Sequence, residues 1–457
     1  MTAVRLKERL LGLLPPGRHR DLLALAIPIS LGLSSQILLN LVDTAMVGQI
    51  GHQAQAAAAL GGFAFWMMAN LAVGIGTGVQ TMCSRRHGED RPEAAGAVLD
   101  VSLVFCFVIA LPAGWLLAQG ASWVFGLATS DPVIESEGTG YLAIRMVGLG
   151  AVVANYCYRG FYNGVGRPVV YMLSLALVQV VNILLNWVLI FGNLGARPMG
   201  VDGAAQASVL AAVFGVIFYS IITLVFSDIR TVFRPLRFRN LLAAGPGRLL
   251  SLSWPESIRG VLVMVGFFAF LELHEGLGSR EAAAGAILVN VASGGYLLAL
   301  GFGLACATMV GRHLGKGDPD EARRMVWVGV RMATTVLLLP AAVLTLFPAE
   351  VLGLFTPDQL VIETATPAIR VFALAGVADA LPIVLVYSLL GAGATRWVAG
   401  AQIVQQFAVM LPLAWFLAYP LGLGVLGLWL GLAVSRAALA LVAVPKFRGS
   451  SWESIAL

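Results

Sequence analysis

Two aspartates lie inside apolar runs long enough to cross a bilayer. Asp43 is in PISLGLSSQILLNLVDTAMVGQIG (residues 28–51) and Asp379 is in VADALPIVLVYSLLGAG. An ionised carboxylate at membrane depth costs at least about 2.5 kcal/mol on insertion scales, so an acid kept there is by default a group that binds or moves an ion. Gln36, Asn40 and Asp43 follow one another at i, i+4 and i+7, which on a helix is a single face. A later apolar run, PVVYMLSLALVQVVNILLNWVLIF, carries Gln179, Asn182 and Asn186 at i, i+3 and i+7, again one face. Carboxamides opposite an aspartate can donate to its ionised form, accept from its protonated form, or lend oxygens to a small cation. Pro28, fifteen residues before Asp43, is placed to bend the first helix or to mark its first turns.

The elements that must hold these groups are membrane helices. Of 457 residues, 59% are hydrophobic and only 12% charged, with a mean hydropathy of +0.86; a soluble domain carries about 25% charged residues. Twelve spans are read at 22–45, 55–80, 96–118, 138–160, 168–191, 203–227, 255–275, 282–310, 326–347, 366–390, 397–418 and 424–444. The fold class is therefore all-α integral membrane. With both termini cytoplasmic, only Arg197 and Arg280 among the 29 Lys and Arg fall in external loops, and most of the rest line the cytoplasmic side. That asymmetry accounts for the net charge of +5 without a nucleic-acid partner. Cys83, Cys106, Cys157 and Cys306 are scattered in or beside apolar runs, with neither a disulfide framework nor a metal spacing. The five histidines show no metal-ligand spacing either.

The chain repeats itself. GIGTGVQTMCSRRHGEDRPEAA (74–95) and GFGLACATMVGRHLGKGDPDEA (301–322) share eight identities at a constant offset of 227, among them Gly74/Gly301, Thr81/Thr308 and Arg85/Arg312. The same offset sets Pro28 on Pro255. Two tandem six-span halves follow, 22–227 and 255–444, between a basic tail (1–21), an arginine-rich cytoplasmic linker (228–254) and a C-terminal tail (445–457). An even number of spans per repeat keeps both halves in one orientation, related by a pseudo-two-fold along the membrane normal around a central cleft. The polar face is not repeated. Phe270 stands opposite Asp43, and Met410 and Ala414 stand opposite the two asparagines.

Pro28 with Asp43, the GRHLGKGDPDEA-like loops after spans two and eight, FYNGVGRP after span four, and NILLNWVLIFGN with GVDGAAQAS resemble the multidrug and toxic compound extrusion transporters. The resemblance covers the whole chain. It implies cation-coupled export of organic, often cationic and amphipathic compounds from cytoplasm to outside, by a monomer in the inner (cytoplasmic) cell membrane and with no cofactor. The implied coupling site is Asp43, Asn182 and Asn186 with Gln36 and Asn40. Asp379, Gln179 and Ser208 form a substrate or second proton site, and Pro28 is the conformational bend. Members with a similar first span often have an aspartate where Asn186 stands and a threonine where Ser208 stands. One carboxylate in place of two favours proton over sodium as the coupling ion. Asp379 matches an aspartate of the NorM-type branch, whereas Pro28, Asp43 and Arg259 lean toward the DinF-type branch.

Other readings fare less well. HExxH, GxSxG and a P-loop do not occur, which argues against an enzyme and against an ATP-driven pump on this chain. A sodium-coupled antiporter is the nearest alternative. A lipid-linked flippase of related architecture would line its cleft with several cationic residues, where this chain offers acids and carboxamides. Glu272, His274 and Glu275 are expected at the outer interface in solvent. Arg145 and Arg436 are read only as snorkelling or carbonyl-capping side chains.

Overall fold

A computed structural model describes residues 17–236 and 245–455; the side chains of 37–41, Asn40 among them, also lie outside the described residues. The basic tail therefore enters the description only from Gly17. Every regular element in the described residues is helical. We number the helices α1 Arg18–Gly48, α2 His52–Gly88, α3 Pro92–Gln119 (with a π turn at Cys106–Ala110), α4 Ala121–Ala128, α5 Pro132–Val147 and α6 Leu149–Gly164. There follow α7 Pro168–Phe191, α8 Gly200–Val225, α9 Pro246–Glu275, α10 Ser279–Gly315, α11 Pro319–Leu346, α12 Pro348–Gly353, α13 Gln359–Gly391, α14 Thr395–Ala418 (with a π turn at Gln405–Met410) and α15 Gly424–Arg448. Ten are long and apolar enough to cross a membrane, and eleven with the pair α5–α6, bent by 46°, taken as one span. With α1, 31 residues long, these are the twelve spans expected from the sequence. Large apolar side chains point outward, Leu339 at 74% exposure and Leu441 at 75%, as lipid-facing surface requires.

The repeat is visible in the chemistry of the helix starts. Proline opens α3, α5, α7 and α11, where its missing N–H costs nothing. Asp131 accepts from the backbone N of Val133 (2.8 Å) and Ile134 (3.3 Å) at the start of α5. Asp358, 227 positions later, does the same for Leu360 (2.9 Å) and Val361 (3.4 Å) at the start of α13. Even the threonines two residues earlier match, Thr129 and Thr356 each accepting from the aspartate's N–H at 3.2 Å. The acidic loops before α5 and α13 thus supply helix caps. Backbone hydrogen bonds at Asp131, led by that from Val133, hold its carboxyl below the usual carboxylate range.

The chain divides into two compact units, one holding the chain as far as Ser30 together with Ile258–Leu457, the other Leu31–Ser257. The lobes read from the sequence, 22–227 and 255–444, change at span boundaries. These units change inside α1 and α9 instead, two residues after Pro28 and Pro255. Both helices run on through their prolines. Two repeat-related glycines meet these helices close to the divisions. Gly74 of α2 lets α9 approach so closely that a methyl there would run into the Ser257 hydroxyl and sit 2.5 Å from Ser257 N and 2.6 Å from Ser253 O. Gly301 of α10 admits Ser30 of α1 in the same way. Ser30 and Ser257 are themselves 227 apart.

Substitution should separate the two contacts. Gly74→Ala meets backbone and is expected to lower stability by about 1–3 kcal/mol, the usual cost of overpacking. Both alanines meet a serine hydroxyl, but Gly74→Ala also meets backbone at 2.5 and 2.6 Å, whereas behind the Ser30 hydroxyl Gly301→Ala meets only Cβ at 2.9 Å and Cα at 3.0 Å. Ser30→Ala should therefore restore part of the loss, whereas Ser257→Ala should not rescue Gly74→Ala. Melting temperatures of the four variants, purified in one detergent, check this; equal rescue in both pairs would refute the backbone argument.

Candidate functional site

In the unit Leu31–Ser257, α1, α5, α7 and α8 each bring a polar residue to one place. Asn186 Nδ2 of α7 donates to Asp43 Oδ1 of α1 at 2.6 Å and also to Asn182 Oδ1 at 3.2 Å. Asn182 Nδ2 in turn donates to Ser208 Oγ of α8 at 3.4 Å. Asn182 and Asn186 are buried, at 3% and 1% exposure. The helical spacing read from the sequence is what allows this, since i and i+4 carboxamides share a face of α7. One acceptor is left over. Asn186 Oδ1 is buried with no hydrogen-bond partner, although such an orphan normally costs about 1–3 kcal/mol.

Arg145, read from the sequence only as a snorkelling or carbonyl-capping side chain, belongs to this site. It lies in the last turn of α5, just before the break at Gly148, and its guanidinium stacks 4.2 Å over the ring of Phe65. From there it acts electrostatically on Asp43. Its Nε is buried and unpartnered. A lone arginine in an apolar run looks like a snorkelling side chain; its place over Phe65 and Tyr141 is a matter of packing between α2 and α5.

An apolar layer seals the cluster. Val47, Ile190 and Ala204 lie one helical turn from Asp43, Asn186 and Ser208 respectively, and pack with Val201, Ala54, Met46 and Tyr141. Each helix thus offers a polar turn and then an apolar one, which keeps the hydrogen bonds in a medium where they are strong.

Gln179 and Gln36 are elsewhere in function. Gln179 Nε2 donates to Ser35 Oγ at 3.1 Å, tying α7 to α1 nearer the proline. Gln36 is half-buried and makes no side-chain hydrogen bond among the described residues. Asn40 lies outside the described side chains. Phe161, Tyr162 and Tyr171 are fully buried packing residues; Tyr162 stacks on Tyr219 and its hydroxyl pairs with Thr223 Oγ1 at 2.8 Å.

In the other unit, Asp379 of α13 lines a cavity of about 370 Å³ with Phe267, Phe372, Trp429, Gln406 and Arg436. Its electrostatic neighbour is Arg436 of α15, and Arg370 of its own helix is not involved. Arg259 is engaged separately, donating from Nη1 to Gln402 Oε1 at 2.8 Å. Phe270, the counterpart of Asp43, is buried against His274 and Trp429 with ring centroids 4.9 and 6.0 Å apart. Met410 and Ala414 belong to the same core. His274 corrects the sequence reading: Glu272 and Glu275 are exposed, but His274 is 1% exposed. Its Nε2 accepts from Trp429 Nε1 at 3.2 Å, so its Nδ1 carries the proton and donates to Phe270 O at 2.9 Å. A ring satisfied at both nitrogens can be buried where two carboxylates cannot.

Similar proteins point one way. The family model MatE matches the chain twice, over residues 28–188 and 255–416, once in each half of the repeat. A protein of Burkholderia vietnamiensis named multidrug resistance protein NorM is 27% identical over 452 residues, covering 95% of each chain. One of Agrobacterium fabrum (strain C58 / ATCC 33970), named probable multidrug resistance protein NorM, is 26% identical over 437 residues, 93% of this chain and 92% of that one. Those names do not support the lean toward the DinF-type branch. Among solved structures, an outward-facing multidrug resistance MATE family transporter of the MOP superfamily aligns with a TM-score of 0.86 at 22% identity, over 96% of this chain and 97% of that one. A MOP superfamily transporter from Pyrococcus furiosus Vc1 (DSM3638) aligns with the same score, identity and coverage.

Proposed function

The chain belongs to the MatE family, and we propose that it is a secondary antiporter exporting amphipathic organic compounds from the cytoplasm in exchange for protons. Its relatives' names support the multidrug part of that reading, and the charge asymmetry of its loops supports a multi-pass carrier in the cytoplasmic membrane with both termini inside.

The observation that carries the proton is the orphan acceptor beside the acid. Asn186 gives its N–H to Asp43 Oδ1 while its own Oδ1 stays unpartnered. A proton on Asp43 Oδ2 completes a carboxylic acid–amide pair, N–H to one oxygen and O–H to the other. Ionised Asp43 leaves that oxygen unsatisfied; protonated Asp43 satisfies it and removes a charge from an apolar place. The two states therefore favour different packings of α1 against α7, and α1 carries Pro28 to absorb the change. Alternating access follows if the protonated packing releases compound outward and proton loss on the cytoplasmic side resets the carrier.

Arg145 supports proton over sodium. The oxygens of Asp43, Asn182, Asn186 and Ser208 are of the kind that hold a small hard cation. A guanidinium acting on the same carboxylate repels a second cation but permits a neutralising proton. One arginine beside each acid also leaves neither half with the run of cationic groups that a pyrophosphate-linked lipid would need.

Everted vesicles test the reading. Dye export should follow an imposed pH gradient and ignore a sodium gradient at clamped pH. Arg145→Gln should let sodium drive export, because the oxygen cluster loses its resident cation. Export by the wild type on sodium alone would overturn proton coupling.

A further inference from the structure

Four cysteines are scattered along the sequence, but the fold brings two of them into contact. Cys106 of α3 and Cys157 of α6 are free, buried thiols whose sulfurs lie 3.6 Å apart. Cys106 Sγ donates to Ser102 O at 3.1 Å, and Cys157 Sγ lies 3.9 Å from the same oxygen. Of the other two, Cys83 directs its thiol to Ala95 O at 3.5 Å, and Cys306 belongs to the other unit. Cys106 opens the π turn of α3, a feature that within α-helices often marks a functional place. The next two residues, Phe107 and Val108, face outward at 63% and 65% exposure. The dithiol therefore lies directly beside the lipid-facing surface.

α3 crosses the break between α5 and α6. Gly114 of α3 packs so closely on α5 that a methyl there would sit 2.3 Å from Met146 O, and one on Gly150 of α6 would come within 2.6 Å of Leu111 Cγ of α3. Thus α3 touches α5 just before Gly148 and α6 just after it, and the thiol contact lies further along α6. In turn α6 grips α8, with Asn155 Nδ2 donating to Ala212 O at 2.8 Å and the hydroxyls of Tyr158 and Ser220 paired at 2.9 Å. Arg145 comes from α5 and Ser208 from α8, so a bond between α3 and α6 would fix the 46° bend on which both depend. The second half has neither feature. There α13 runs unbroken from Gln359 to Gly391, and at the offset of 227 Ala333 and Val384 stand for the two cysteines. We infer that Cys106 and Cys157 are a redox-modification site: a neutral two-electron oxidant that dissolves in lipid, a quinone or an azodicarboxamide, joins them as a disulfide that pins the bend and arrests export. Two S–H bonds break and one S–S bond forms. The two electrons and two protons pass to the oxidant, which leaves as a hydroquinone or a hydrazine. Disulfides formed outside oxidising compartments are usually transient and redox-sensing.

The test treats the full chain in everted vesicles with diamide, a neutral azodicarboxamide. The carrier is then isolated in dodecyl sulfate and its thiols are titrated with a maleimide. The count should fall from four to two, and peptide mapping should show Cys106 linked to Cys157. Dye export, driven by whichever gradient drives the untreated carrier, should fall at least about ten-fold, since a covalent tie excludes one of two packings. Tributylphosphine, an apolar reductant, should restore thiol count and export together. Cys106→Ser should export like the untreated wild type and keep its rate in diamide. Four thiols after diamide, or a disulfide through Cys83 or Cys306, would overturn the inference. A linked pair that leaves export unchanged would also overturn it, as would inhibition by diamide that persists in Cys106→Ser. If Cys106→Ser does not insert, the thiol count, the linked peptide and the reversal in the wild type still decide.

Discussion

Asp43→Asn is expected to abolish pH-gradient-driven export, to the background of empty vesicles, while the protein still inserts and purifies. Asparagine keeps an oxygen at the position that accepts from Asn186 Nδ2, now 2.6 Å from Asp43 Oδ1. It adds an N–H on the side of the unpartnered Asn186 Oδ1, so the two amides pair at both ends. The substitution also deletes a charge from a site sealed by Val47, Ile190 and Ala204. Stability should therefore hold or rise, because an uncompensated charge in an apolar setting is a cost. What disappears is titration. On the proposed proton-coupled cycle, the carrier is left in the packing of the protonated state and has no proton to exchange for compound. Asn182→Ala and Asn186→Ala remove hydrogen bonds but leave the carboxylate, so they should give partial loss and displace the pH of half-maximal transport. Export by Asp43→Asn at the wild-type rate, at matched expression in everted vesicles, would remove Asp43 from coupling and leave Asp379 as the acid to examine.

Phe270→Asp, which gives the second half the acid that the first half has, should yield no folded protein. Phe270 is 1% exposed and packs edge-on against His274 and Trp429. Removing such a ring costs about 3–5 kcal/mol, and an unpaired carboxylate in its place adds several more. Together these rival the whole stability of a typical domain, about 5–15 kcal/mol. Phe270→Leu keeps most of the volume and should cost less than about 1.5 kcal/mol. Gel filtration and a thermal melt in detergent distinguish the cases. A monodisperse Phe270→Asp protein with the wild-type melting temperature would show that the aromatic core is not what bars an acid from this position.

Most of the architecture was legible because membrane helices announce themselves one at a time. Each span has to hide its own backbone, so its length and apolar composition are local properties of the sequence. The repeat was legible for a similar reason, since Gly74/Gly301 and Pro28/Pro255 answer to backbone constraints that admit few other residues. The carboxamides of α7 were legible as a face because helical periodicity is local too, and Asn182, Asn186 and Asp43 do meet.

What the tertiary structure decided were the partners. Nothing in LAIR distinguishes Arg145 from a snorkelling side chain; the packing of the helices sets it over Phe65, where it acts electrostatically on Asp43. Arg436, 57 residues from Asp379 along the chain, became its neighbour only through the packing of α15 against α13. His274 was misplaced at the outer interface because its charge pattern resembled that of Glu272 and Glu275; two hydrogen bonds from a different helix and its own turn allow it inside. The compact units divide α1 and α9 beside Ser30 and Ser257, which approach two glycines distant from them in sequence, Gly301 and Gly74. Span, face and repeat are set by near neighbours in sequence. The pairing of charges across helices depends on contacts that no local pattern records.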